Sequence, residues 1–246
     1  MKTVHHLLLR CGLLLALGGC GQERPATAPE ASTAAASAPT SQTPPAPVGK
    51  QTVLFFGNSL TAGLGVEPEQ AFPALVNQKI DSAGLRYTVV NAGLSGETTA
   101  GGRNRVGWVL RRPVAVFVLE LGGNDGLRGL PLSDTRRNLQ AIVDTVRLLS
   151  PGARIVLAGM QIPPNLGADY AQEFKQLYAE LARKNNLTLI PFLLEGVGGV
   201  ARFNQQDGIH PTPAGHRLIA RTVWSVLEPV LRQPPATTPS GTANTR

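Results

Sequence analysis

The side chains best suited to chemistry in this 246-residue chain stand just after apolar runs. Ser59 lies in Phe55-Phe56-Gly57-Asn58-Ser59-Leu60-Thr61, with Gly63 and Gly65 close behind. A Ser on a tight strand-to-helix turn is exposed and close to the N–H groups of a helix start. That suits a nucleophile whose product is an oxyanion. The plain alternative is a serine that only shapes a turn. The hydrolase elbow Gly-x-Ser-x-Gly is not met, because Thr61 stands where the second Gly belongs. Phosphate-loop and dinucleotide patterns fail too. No Gly-Lys-Ser/Thr follows, and Gly63-Leu64-Gly65 lacks its third Gly.

A base is on offer in Asp207-Gly208-Ile209-His210-Pro211. An Asp three residues before a His, across a Gly, can fold back onto the imidazole, fix its tautomer and stabilise the imidazolium. An Asp-Gly turn beside a surface His is the other reading. His216, in Pro213-Ala214-Gly215-His216, competes with His210 but falls on the first turn of a helical stretch and reads as structural. Asn124, in Leu121-Gly122-Gly123-Asn124-Asp125-Gly126, is a donor that does not titrate, which suits an oxyanion hole. A turn Asn before Asp-Gly is its plain reading. Gly96, within Asn91 to Thr98, can present a backbone N–H at a helix start. Ser95 is a rival nucleophile on paper, set aside because it sits beside that donor position and not on the first strand's turn. The four His and two Cys include no His-x-x-x-His or Cys-x-x-Cys pair, so neither a zinc site nor another cofactor is expected.

Such residues need elements to hold them. Five short apolar runs read as strands: Thr52 to Phe56, Tyr87 to Val90, Val114 to Leu121, Arg154 to Ala158 and Leu187 to Phe192. They are continuously apolar, as strands buried on both faces are. Between them, helical spacing links Phe72, Leu75, Val76 and Ile80. It also links Leu139, Ile142, Val143, Val146 and Leu149, with Ser133 or Asp134 as cap. Phe174, Leu177, Tyr178 and Leu181 form a third set after Asp169. Ile219, Val223 and Val226 form a last one, expected to stop near Pro229 or Pro234. Alternating strands and helices imply an α/β fold with a parallel sheet covered on both faces. In such sheets a ligand site lies beyond the carboxyl ends of the strands. Ser59, Gly96, Asn124 and His210 all follow apolar runs.

The ends of the chain read differently. A basic start, the apolar run Cys11 to Leu17 and Gly18-Gly19 make residues 1–19 a secretory signal, too short for a spanning helix. Residues 20–50 are rich in Pro, Ala, Thr and Ser and read as a flexible tether. The folded domain is expected at 51–232 and a disordered tail at 233–246. Hydrophobic residues at 42% and charged residues at 16% fit a globular core between those ends. The formal charge of +7 falls to about +5 without Lys2 and Arg10. The basic residues are scattered apart from Arg103, Arg105, Arg111 and Arg112, and no aromatic platform is interleaved among them. Nucleic acid is therefore not expected as a partner.

Taken together and in order, the four segments resemble the SGNH (GDSL-type) hydrolase superfamily. The matching blocks are Gly57 to Gly63, Asn91 to Thr98, Leu121 to Gly129 and Asp207 to Pro211. The run Gly-Gly-Asn-Asp-Gly-Leu-Arg-Gly looks like the branch of bacterial thioesterase I, lysophospholipases and arylesterases. Met160-Gln161-Ile162-Pro163-Pro164 points the same way, and in that branch this stretch borders the acyl pocket. The resemblance implies a flavodoxin-like three-layer α/β/α sandwich with a five-stranded parallel sheet. It implies a triad of Ser59, Asp207 and His210, and an oxyanion hole made by the Ser59 and Gly96 N–H groups and the Asn124 amide. It also implies a serine esterase acting on aryl, acyl or lysophospholipid esters or on thioesters, expected as a monomer. A carbohydrate O-deacetylase is the alternative enzyme, and a catalytically silent lipoprotein binding acyl chains or wall polymer is the alternative of another class. The usual Gly-Asp-Ser-Leu block is altered here, with Asn58 replacing its Asp. Leu17-Gly18-Gly19-Cys20 resembles the lipobox of bacterial lipoproteins, which implies lipidation at Cys20 and a membrane anchor outside the cytoplasm.

Overall fold

The computed structural model of the chain describes residues 49–234. The expected signal, the lipidated Cys20, nearly all of the tether and the tail beyond 234 lie outside the described residues. Five parallel strands form one sheet: β1 (Gln51–Gly57), β2 (Tyr87–Gly93), β3 (Val116–Glu120), β4 (Arg154–Ala158) and β5 (Thr188–Ile190). Their order is β2-β1-β3-β4-β5. The helices are α1 (Ser59–Ala62), α2 (Phe72–Ser82), α3 (Thr99–Val109), α4 (Gly123–Leu127), α5 (Leu132–Leu149), α6 (Ala168–Asn185) and α7 (Pro213–Arg232). Helices α2 and α7 pack on each other, and α3, α5 and α6 pack in a row. Right-handed crossovers put these two groups on opposite faces of the sheet. The result is the three-layer α/β/α sandwich expected from the sequence.

Apolar burial holds the layers together. All of β3 is buried, and so is β1 from Val53 onward. Strand β2 lies at an edge, so its residues are partly exposed and Val90 is 43% exposed. Strand β5 is three residues long and not six. Leu187 bonds back to Ala182 at the end of α6, and Pro191 has no N–H to continue the ladder.

Two helical expectations need correction, and a third resolves between its alternatives. Neither Ser133 nor Asp134 caps α5, which starts one residue earlier behind Pro131. The fixed φ of Pro131 turns the chain by itself, and the Asp134 carboxylate pairs with Arg137 at 2.6 Å. Helix α7 stops at Arg232, just before Pro234 and as expected there, having run through Pro229. Pro229 deprives Ser225 of a carbonyl partner, but both residues are exposed, so water can replace it while Val230 and Leu231 keep their burial. Gly96 is not at a helix start, because Thr98 caps α3 and Gly96 sits in the turn before it. Helix α3 itself has no apolar periodicity. It forms because Gly102 lets it lie against the sheet, where a Cβ would come 2.3 Å from the buried Leu121 side chain.

The register sets up the site. Gly57 of β1 pairs with Gly93 of β2 and with Glu120 of β3, so three strands end level. The connections from β1 run to opposite sides, making this the crevice at the switch point of the sheet.

Candidate active site

Ser59 opens α1 two residues after β1. Asn58 caps that turn, its Oδ1 accepting from the Leu60 N–H at 2.9 Å. Ser59 is nearly buried, and its Oγ lies 2.9 Å from His210 Nε2. His210 Nδ1 lies 2.6 Å from Asp207 Oδ2. The other Asp207 oxygen accepts the N–H groups of Ile209 at 2.9 Å and His210 at 3.0 Å. One carboxylate thus shapes the loop and grips the imidazole, with Gly208 supplying the left-handed φ of +71° at the bend. These bonds, the imidazole contact foremost, hold the Asp207 carboxyl down at about 2.

Gln205 ties this loop to the nucleophile's side of the crevice. Its Nε2 donates to the Leu64 carbonyl at 2.7 Å and to the Pro211 carbonyl at 3.0 Å. Nothing in the sequence pattern marks it.

Asn124, on α4, lines the same cavity as Ser59 and His210. Its Nδ2 donates to the Glu97 carbonyl at 2.9 Å, which fixes the amide and leaves its second N–H for another acceptor. Glu97 is itself clamped. Arg105 holds its carboxylate at 2.7 Å and 2.5 Å and lies over the Phe56 ring. Thr99 is bound to Asp125, with its N–H at 2.9 Å. The Gly96 turn and Asn124 are therefore joined by a network that sequence reasoning missed. Gly96, with φ of +78°, lies in an exposed turn outside the cavity lining. Ser95 is exposed in the same turn.

His216 is fully buried and stands apart from the Ser59 cluster. Its Nδ1 accepts from the Phe72 N–H at 3.2 Å, its ring stacks on Phe72, and burial pushes the imidazole down to about 4. The cavity above Ser59 holds about 430 Å³. Its lining is mostly apolar and includes Met160, Ile162, Pro163, Phe192 and Ile209. Among the described residues, no group of three His, Cys, Asp or Glu side chains could hold a metal ion. A hydroxyl, an imidazole and a carboxylate in hydrogen-bonded series can move a proton off the hydroxyl and stabilise the imidazolium that results.

Known proteins share this fold. The pattern of the GDSL-like lipase/acylhydrolase family matches residues 55–218. The chain belongs to that family. It is an ester hydrolase of the GDSL type, with a parallel α/β/α sandwich as its scaffold. Esterase TesA of Pseudomonas aeruginosa is 41% identical over 182 residues, covering 74% of this chain and 90% of that protein. Thioesterase 1/protease 1/lysophospholipase L1 of Escherichia coli K12 is 36% identical, covering 73% of this chain and 85% of that protein. The crystal structure of TesA superposes with a TM-score of 0.70 at 41% identity, over 73% of this chain and 99% of that one.

Proposed function

We propose that Ser59 is the nucleophile of this GDSL hydrolase, acting with His210 as base and Asp207 as the group that orients it. The observation that carries this reading is the unbroken series Ser59 Oγ, His210, Asp207 at 2.9 Å and 2.6 Å. Neutral His210 takes the Ser59 proton as Oγ attacks an acyl carbonyl. The Ser59 N–H and the Asn124 amide, which line the cavity, receive the oxyanion, and the family resemblance adds the Gly96 N–H from the turn beside it. The protonated imidazole gives its proton to the leaving alkoxide, phenolate or thiolate, and an acyl ester remains on Ser59. Water, deprotonated by the same imidazole, then attacks the acyl ester; the Oγ–acyl bond breaks, the acid leaves and the imidazolium returns its proton to Ser59 Oγ.

The apolar lining of the cavity supports a substrate class. An apolar cavity of about 430 Å³ suits an acyl chain or an aryl group better than a sugar, which favours aryl, acyl or lysophospholipid esters over O-acetylated carbohydrate. The esterase relative and the thioesterase/lysophospholipase relative support the same range. A panel of p-nitrophenyl esters of rising chain length tests it. Rates should peak at a medium chain, and a strict preference for acetate would point to the deacetylase reading.

Asn124 carries a separate expectation. Asn124→Ala should lower kcat by about a hundred- to a thousandfold with the fold kept, as loss of one oxyanion donor does. An unchanged kcat in a folded Asn124→Ala protein would remove its role.

Export and anchoring through Cys20 belong to the same proposal. The basic start, the apolar run and Leu17-Gly18-Gly19-Cys20 support them. A Cys20→Ser chain should leave the membrane fraction, and equal retention would refute the anchor.

A further inference from the structure

Glu120 takes no part in the reaction just described, yet it lies directly beneath the nucleophile. It ends β3 and is 1% exposed. Its Oε1 accepts from Asn58 Nδ2 at 2.8 Å. Its Oε2 accepts from the Asn58 N–H at 3.1 Å and from Thr61 Oγ1 at 2.8 Å. Positions 58 and 61 bracket Ser59, so one carboxylate grips the turn on both sides. The backbone closes over it at Gly57, where a Cβ would fall 2.5 Å from Oε2. All three donors are neutral. The titratable groups around it are Tyr178 from α6, which donates to the Leu121 carbonyl, Asp125 from α4, and His210 across Ser59.

Building on the reading of Ser59 as nucleophile, we propose that Glu120 is a positioning residue for it. The Asn58 amide lets Glu120 do this as a bare carboxylate, with no proton shared between positions 58 and 120. The usual Asp of this block would put a second carboxyl against Oε1. Two carboxylates that close cannot both ionise and must hold one proton between them. The amide removes that requirement and adds a donor.

Burial pushes the Glu120 carboxyl up to about 7, against the hydrogen bonds from Thr61 and Asn58 that pull it down. Above that range it accepts all three donors. Once protonated, one of its oxygens becomes a donor facing groups that are already donors, and the grip loosens.

The test is a cycle of Asn58→Asp, Glu120→Gln and the double variant, with kcat and KM on one p-nitrophenyl ester measured against pH. Glu120→Gln leaves one acceptor oxygen where two served three donors and turns an NH2 toward the rest, so it should lower kcat by roughly ten- to a hundredfold at similar KM, as expected when buried polar groups lose their partners. Adding Asn58→Asp gives that NH2 a carboxylate acceptor and frees the Gln oxygen for the position-58 N–H and Thr61, so the double variant should regain about tenfold or more. Asn58→Asp alone should show a falling alkaline limb, absent from the wild type, as the shared proton leaves. Thr61→Val removes one donor and keeps the shape. Should Glu120→Gln not fold, Thr61→Val should still lower kcat several-fold, by roughly the worth of one hydrogen bond. Effects that simply multiply, an Asn58→Asp profile that superposes on wild type, or an unchanged kcat in Thr61→Val would each overturn the proposal. If wild-type hydrolysis survives Ser59→Ala, the nucleophile reading fails instead.

Discussion

Ser59→Ala should lower kcat on the best ester by about five to six orders of magnitude, and His210→Ala by about as much, as members of a nucleophile–base pair do. The two side chains meet at 2.9 Å, and each is useless without the other. A Ser without a base is a poor nucleophile at neutral pH, and a base without the hydroxyl has no attacking atom to activate. The double variant should therefore be no slower than either single one. Ser59 is nearly buried and loses only its oxygen in this change, so the protein should stay folded by circular dichroism. Independent, additive losses would mean that the two residues do not act as a unit.

Asp207→Ala should lower kcat by about a thousandfold, short of the roughly 10⁴-fold loss at a buried triad carboxylate. The reason for the smaller number is exposure. The Asp207 side chain is 43% exposed, so water can take over part of its bond to the imidazole. Its carboxyl is held at about 2, so Asp207 is charged throughout the working range and contributes no acid limb above pH 4. The sign for stability follows from the same depression. The contribution is fully present above the ordinary carboxylate value and is lost as pH falls toward 2. Asp207→Asn separates the two jobs of this residue. It keeps an acceptor for the Ile209 and His210 N–H groups but no longer selects the imidazole tautomer. Nearly full loss in Asp207→Asn assigns the effect to the tautomer, whereas recovery of most activity assigns it to the loop. Stopped assays on both proteins at pH 8 decide between them.

Much of the scaffold was legible because burial on both faces leaves a plain mark. The runs Val114 to Leu121 and Thr52 to Phe56 read as buried strands, and they hold the buried strands β3 (Val116–Glu120) and most of β1 (Gln51–Gly57). The edges were less legible, since the sequence does not say which strand lacks a neighbour. Thus β2 is half exposed and β5 stops at Pro191. Helix α3 left no periodic trace because glycine contact, and not an apolar stripe, seats it. At the site, Ser59 and His210 are 151 residues apart, and only their order relative to Asn124 and Asp207 linked them. The residues that hold the site were harder to see. Glu120 did leave a signal: a lone carboxyl inside an otherwise apolar strand must find buried partners. Arg105 looked like one member of a basic group, yet it is committed to Glu97. Gln205 left no signal, because its bonds to Leu64 and Pro211 depend on how two loops meet.

The central claim is that Ser59 is an activated nucleophile, and a fluorophosphonate reports on that without any choice of substrate. The reagent should label one site per chain, with the added mass on the peptide that contains Ser59, and the Ser59→Ala and His210→Ala proteins should stay unlabelled over the same time. Labelling that maps to Ser95 or another serine, or that persists in folded Ser59→Ala protein, would contradict the account.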